Sequence, residues 1–301
     1  MTDTTQYPFI DALIDTQMLA TRLQSRDKLL APLKIIDARF DLMKPQYGQE
    51  AYQTSRIPTA LRVELEQSIC APKTGQNGRH PIQSPEKLIT VFQNLGINHG
   101  DHVVIYDDKS GMFASHIWWV LRHLGHASVQ VLNGGIDAWE NAGFALETGA
   151  PRIINMPGNI TRQESEFSTI TTDEILSDLD AKEQRELHII DARGAARFRG
   201  EMEPLDPVAG HIPFAINRPF ELNLGEDGHF KDRAVLQAEW EARLAGIEPS
   251  QVVHQCGSGV SACHNLFALY YAGFGPTKLY HGSWSEWCAD AERPVALGEE
   301  A

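Results

Sequence analysis

The chain has 301 residues, 42% of them hydrophobic and 22% charged, with a formal net charge of -14. That length exceeds one ordinary core and predicts two domains, each with ample apolar interior. A surface this acidic repels phosphate backbones and anionic lipid, so neither nucleic acid nor membrane is an expected partner.

The opening stretch "MTDTTQYPFIDALIDTQMLATRL" has no basic region ahead of an apolar core, so no leader is expected. No run is long enough to span a bilayer, and the expected location is the cytoplasm. The cysteines Cys70, Cys256, Cys263 and Cys288 are sparse and scattered, a pattern of free thiols in a reducing compartment.

In chain order, an apolar strand is predicted from Leu33 to Ala38, ending in Asp-Ala-Arg. A loop with "RIPTA" follows, then a polar helix over 85–95, with Ser84 as cap and Pro85 at the first position. A buried strand at 103–106, a helix at 115–124, a short strand at 129–132, a Gly turn and a Trp-bearing helix complete the half. The same order then returns. "KIIDARF" (34–40) recurs as "HIIDARGAARF" (188–198), "RIPTA" (56–60) as "HIPFA" (211–215), "HVVIYDD" (102–108) as "QVVHQCG" (251–257), and "NGGIDAW" (133–139) as "HGSWSEW" (281–287). The second half is predicted to carry strands at 187–192, 252–255 and 278–280, with helices at 234–245 and 262–272. The reading is a duplicated α/β domain, each copy a parallel sheet with helices on both faces. The copies span 1–148 and 167–301, joined by a Gly- and Pro-bearing linker at 149–166.

Chemistry in such sheets collects at the carboxyl ends of strands. There the first copy places Asp107 and the second places Cys256, so the second copy is expected to be the active one and the first a supporting domain. After Cys256, the residues Gly257, Ser258 and Gly259 free the backbone to turn N–H groups inward above a helix start. Such a nest favours an anion, here a thiolate that donors must reach from water.

"CGSGVSA", together with the DAR, Ile-Pro, Gly-Gly-x-x-Ala-Trp and "GSWSEW" blocks in this order, resembles the two-domain rhodanese-like sulfurtransferases, above all their 3-mercaptopyruvate branch. The resemblance implies tandem rhodanese-like domains and an enzyme without a cofactor or metal. In it, Cys256 takes sulfur from 3-mercaptopyruvate as a persulfide, releases pyruvate, and passes the sulfur to a thiol such as thioredoxin, a small thiol, or cyanide. It implies that Gly257, Gly259, Val260, Ser261 and Ala262 cradle the persulfide, and that Arg197 grips the donor's carboxylate. It further implies that Ser258, His80 and Glu66 handle the proton, Glu66 standing where the branch has an aspartate. The branch's second arginine is missing: "EPLD" at 203–206 puts Leu205 in its place, with Arg199 and Arg218 as possible substitutes.

Competing expectations are a thiosulfate sulfurtransferase and a non-catalytic binding module. A cysteine phosphatase is disfavoured because the sixth residue after Cys256 is Ala262 rather than Arg. A zinc site at His254, Cys256, Cys263 and His264 lacks any Cys-x-x-Cys pair. Asp37, Asp191, His211, Trp139 and Trp287 are expected to be structural, Cys263 to be a core residue, and Ser283 and Trp284 to line the mouth of the site.

Overall fold

The computed structural model describes residues 12–299; the start of the chain, where the expectation of no leader falls, lies outside them. The chain divides into two compact units. One takes the chain up to Glu64 and Ile89–Glu164; the other takes Leu65–Leu88 and the chain from Ser165 onward.

In the first unit, β1 (Leu13–Ile14), α1 (Thr16–Gln24), β2 (Leu33–Asp37), α2 (Tyr47–Thr54) and β3 (Leu61–Arg62) come first. After helix α3 (Pro85–Asn94), which runs across the boundary, come β4 (His102–Tyr106), α4 (Met112–His123), β5 (Val129–Leu132) and α5 (Gly135–Asn141). The sheet order is β1-β5-β4-β2-β3, and all its pairs are parallel. Period-two alternation divides its residues between two faces. Ile35, Val104, Tyr106 and Leu132 pack with Leu19 of α1, Tyr52 of α2 and Trp139 of α5. The alternate residues Ile36, Val103, Ile105 and Val131 are equally inaccessible, and α4 packs on β4 and β5. Strands buried on both faces need the continuous apolar runs this chain supplies.

The second unit repeats the plan with β6 (Ser168–Thr169), α6 (Thr172–Asp180), β7 (His188–Asp191), α7 (Ala195–Phe198), β8 (Ile216–Asn217), α8 (Arg233–Leu244), β9 (Val252–Gln255), α9 (Val260–Tyr271), β10 (Lys278–Leu279) and α10 (Ser283–Trp287). Its sheet order, β6-β10-β9-β7-β8, is that of the first, again all parallel. The tandem α/β architecture is thus the one the repeats predict. The two-residue strands at the sheet edges were not predicted, being too short to show a period. Helices α4 and α9 start at Met112 and Val260, two or three residues before the predicted starts, because the glycines at 111 and 259 take left-handed backbone and serve as caps.

The repeated motifs have matching physical roles. Asp37 and Asp191 each accept from the backbone N–H and the guanidinium of the arginine two residues on. Those arginines then donate to Ser55 O and Gly210 O, tying strand end to loop. Both Ile-Pro loops turn on a residue with positive φ, Thr59 at 69° and Phe214 at 64°. His211 bonds Phe198 O and stacks on its ring, and Trp139 and Trp287 donate to Ala145 O and Pro294 O. Among the described residues, no helix is long and apolar enough to cross a membrane.

Candidate active site

Strand β9 delivers Cys256 at the carboxyl end of its sheet, beside the end of β7 that leads to Arg197. The loop at 256–259 is held from behind. Ser283 Oγ accepts from Cys256 N at 3.1 Å and donates to Tyr280 O at 2.9 Å. The amides of Trp284 and Ser285 take the carbonyls of Cys256 and Gly257 at 3.0 and 2.9 Å. With those carbonyls engaged, the amide of Ser258 is directed to the thiol, its N lying 3.5 Å from Cys256 Sγ. Gly259 sits at φ 82°, and a Cβ there would lie 2.4 Å from His281 O, so only glycine fits. Val260, Ser261 and Ala262 form the first turn of α9, whose N–H groups have no partner inside the helix.

The sister loop shows what this geometry holds. The Asp107 carboxylate, at the position equivalent to Cys256, accepts from the amides of Lys109, Gly111, Phe113 and Ala114 at 2.7–2.9 Å. Burial pushes its pKa up while those amides oppose the rise. One half therefore fills its anion nest with its own side chain, and the other presents a thiol.

His80 and Glu66 belong to the segment Leu65–Leu88, part of the same compact unit as Cys256. Bonds from Ala71 N to Pro81 O and from Gln83 N to Ile69 O close this segment on itself. Arg79 N donates to Ser285 Oγ at 2.9 Å, which seats the segment on the turn behind the thiol. His80 Nδ1 consequently lies 2.8 Å from Ser258 Oγ. Burial, and then the charges of Arg79, Lys73 and His281, lower the His80 pKa to about 3, so the ring is neutral at pH 7. Glu66 reaches only 3.8 Å from His80 Nε2, outside hydrogen-bond distance, and its carboxylate is bound by Lys73 at 2.7 Å.

Arg197 points to the loop: a Cβ on Gly257 would meet its Nη atoms at 3.4 and 3.5 Å, and Arg79 Nη2 at 2.9 Å. Arg197 is bound by Glu203 (2.7–3.1 Å) and Asp206 (3.1 Å). Glu201, an acid nearer to Arg197 in the chain, binds Arg199. Neither substitute for the missing arginine is at the loop: Arg199 is tied to Glu201, and Arg218 is buried against Trp240 and Glu239. Arg79 is there instead. Its sequence signal was its place next to His80 in "GRHP".

Three further expectations meet the structure. Ser283 and Trp284 do not line a mouth; both are wholly buried, and they brace the loop from beneath. Cys263 is buried in α9, its thiol against Gly259 O and its pKa pushed well above the usual range by burial and then by Cys256, a poor setting for a resolving thiol. Cys256 itself is only 2% exposed, less open than a thiol awaiting a donor was expected to be. All four cysteines are free, and no group of three or more His, Cys, Asp or Glu able to hold a metal occurs among the described residues.

A parallel α/β sheet that ends in a glycine-framed cysteine loop, in a duplicated chain whose other copy lacks the thiol, defines a tandem α/β protein that presents one cysteine at a strand end. The family follows directly: the rhodanese-like domain model matches residues 17–142 and 171–290, and the chain belongs to that family. It is 43% identical over 289 residues to a Pseudomonas aeruginosa protein named "Probable 3-mercaptopyruvate sulfurtransferase", covering 95% of this chain and 98% of that one. It is 37% identical to the Mycobacterium tuberculosis "Putative thiosulfate sulfurtransferase SseB", covering 95% and 97%. The solved structure of the 3-mercaptopyruvate sulfurtransferase from Leishmania major superposes with a TM-score of 0.80 at 26% identity, over 94% of this chain and 75% of that one.

Proposed function

We propose that the protein is a sulfurtransferase that moves sulfur from 3-mercaptopyruvate to a thiol through a persulfide on Cys256. The observation that carries this reading is the thiol at the end of β9, with the Ser258 amide on its sulfur and the Ser258 hydroxyl on His80. The Cys256 thiolate attacks the donor's thiol sulfur. The carbon–sulfur bond breaks, its electron pair leaves as the enolate of pyruvate, and the proton from the donor's S–H ends on that carbon. The neutral His80 ring, accepting from Ser258 Oγ–H, provides the path for that proton. The loop amides from Gly257 to Ala262 receive the negative outer sulfur. An acceptor thiolate then attacks the outer sulfur and restores the Cys256 thiolate, a two-step covalent cycle. Arg197 binds the donor's carboxylate. Glu66, bound by Lys73 and beyond hydrogen-bond distance of His80, takes no direct part in this relay.

The domains are read as 1–148, supporting and without the thiol, a linker at 149–166, and the catalytic 167–301. The chemistry asks for no cofactor. Thioredoxin or a small cytoplasmic thiol is the proposed acceptor. Thiosulfate is the second donor reading, favoured by Leu205 in place of an arginine and by the carboxylates already on Arg197. Steady-state turnover of both donors by wild type and Arg197→Ala, with dithiothreitol as acceptor, tests the assignment. A preference for mercaptopyruvate that collapses in the variant is expected; equal use of both donors overturns it.

A further inference from the structure

The guanidiniums of Arg79 and Arg197 converge on one point above Gly257, and one carboxylate bridges them. Asp206 takes Arg79 through Oδ1 at 2.7 Å and Oδ2 at 3.4 Å, and Arg197 through Oδ2 at 3.1 Å. Planar, two-sided binding of a carboxylate between guanidiniums is what an α-keto acid needs from its site. Here the protein supplies that carboxylate itself, on guanidiniums gathered at Gly257, the residue after the thiol. The bridge is constructed rather than incidental. Glu203 accepts from the amides of Leu205 and Asp206 at 3.0 and 3.2 Å, fixing the turn that aims Asp206 inward. Glu203 is further held by Arg197 at 2.7 Å and Arg193 at 3.5 Å. The side chains of Asp206 and Glu203 are 4% and 3% exposed, while those of Arg79 and Arg197 keep 16% and 19%. The cations thus face outward with their acids behind them. Paired this way they carry no surplus charge, and Cys256, the neighbour of Gly257, is 2% exposed.

We propose that Asp206 is an internal stand-in for the donor's carboxylate, and that Arg79 is the second guanidinium of the donor site, in place of the arginine lost at Leu205. The inference rests on the α-keto acid reading of the site. In the resting protein Asp206 spans Arg79 and Arg197 and keeps them in register. An incoming carboxylate exchanges with it and takes its place between the two guanidiniums. Donors without a carboxylate gain nothing from Arg79 and lose nothing to Asp206. Arg79 and Asp206 therefore set specificity toward anionic donors.

The test compares 3-mercaptopyruvate with its uncharged analogue 1-mercaptopropan-2-one, dithiothreitol being the acceptor, in wild type, R79A, R79K and D206N. Loss of charge-assisted bonds to one guanidinium lowers the ratio of kcat/KM for mercaptopyruvate over the analogue by about 10–100-fold in R79A. R79K falls between, keeping charge without the fork. D206N raises the ratio several-fold by lowering KM for mercaptopyruvate. Melting temperatures identify any variant that fails to fold, and R79K then carries the comparison. An R79 variant that lowers both donors equally, or a D206N protein that uses mercaptopyruvate no better than wild type, overturns the proposal. A wild type that turns over neither donor instead overturns the α-keto acid reading beneath it.

Discussion

His80 Nδ1 and Ser258 Oγ stand 2.8 Å apart although 178 positions separate them in the chain. The pair exists because a segment of the first repeat is folded into the unit that carries the thiol. With the ring neutral, Ser258 donates and His80 accepts. Replacing either group, as His80→Gln or Ser258→Ala, is expected to lower kcat on the order of 100-fold or more while Cys256 still alkylates. Single-turnover pyruvate release measures this; an unaffected rate would remove the relay.

Cys256→Ser is expected to abolish turnover, since an alcohol oxygen does not form the sulfur–sulfur bond. Incubating wild type with donor alone should raise the protein mass by one sulfur atom, and the variant should show no such increase. A loaded Cys256→Ser protein would place the chemistry elsewhere.

Gly259→Ala should fold less stably and lose activity together. The added Cβ would lie 2.4 Å from a backbone oxygen, at a φ of 82° that side chains avoid. A cost of about 1–3 kcal/mol is expected from the strained backbone alone. Urea unfolding followed by circular dichroism measures it, and a melt identical to wild type contradicts the loop geometry.

Asp107→Ala leaves four amides without their acceptor, and about 1–3 kcal/mol is expected for each buried unsatisfied group. The protein should therefore melt well below wild type, with Asp107→Asn intermediate. Calorimetry of wild type and both variants measures the shift.

The stability of the protein should fall as the medium is acidified. Burial lowers His80 and His254 to about 3, from 6.5 when unfolded. Below pH 6.5 the unfolded chain takes up protons that the folded chain refuses. The stabilisation is therefore complete above pH 6.5 and drains away towards pH 3. By pH 5 each histidine should cost about 2 kcal/mol. Urea midpoints at pH 7 and pH 5 test the sign, and replacing His254 should flatten the slope.

The duplication, the central strands and Cys256 were legible because each is local: a repeated block, an apolar run, a cysteine before glycines. Arg197 was legible for the same reason, lying a few residues past the Asp-Ala-Arg of β7. The acid cluster was not. Nothing local marks Glu203 and Asp206 until the turn at 203–206 folds them inward, Glu203 onto Arg197 and Asp206 onto Arg197 and Arg79, the last distant in the chain. Ser283 and Trp284 were misplaced because sequence shows that a residue is near a site but not which side of the backbone it occupies. Glu66 was read from its likeness to an aspartate, yet its longer side chain found Lys73.

Gly78 packs against Gly282 where a Cβ would lie 2.8 Å from the latter's carbonyl, and the next two residues are Arg79 and His80. A severed C-terminal fragment beginning at Ser165 would retain its nucleophile and forfeit both of these groups. The ancestral copies are consequently no longer interchangeable modules. Mixing separately expressed fragments cut before Ser165 should restore what neither fragment does alone, and evolutionary loss of the first copy would take Arg79 and His80 away from Cys256.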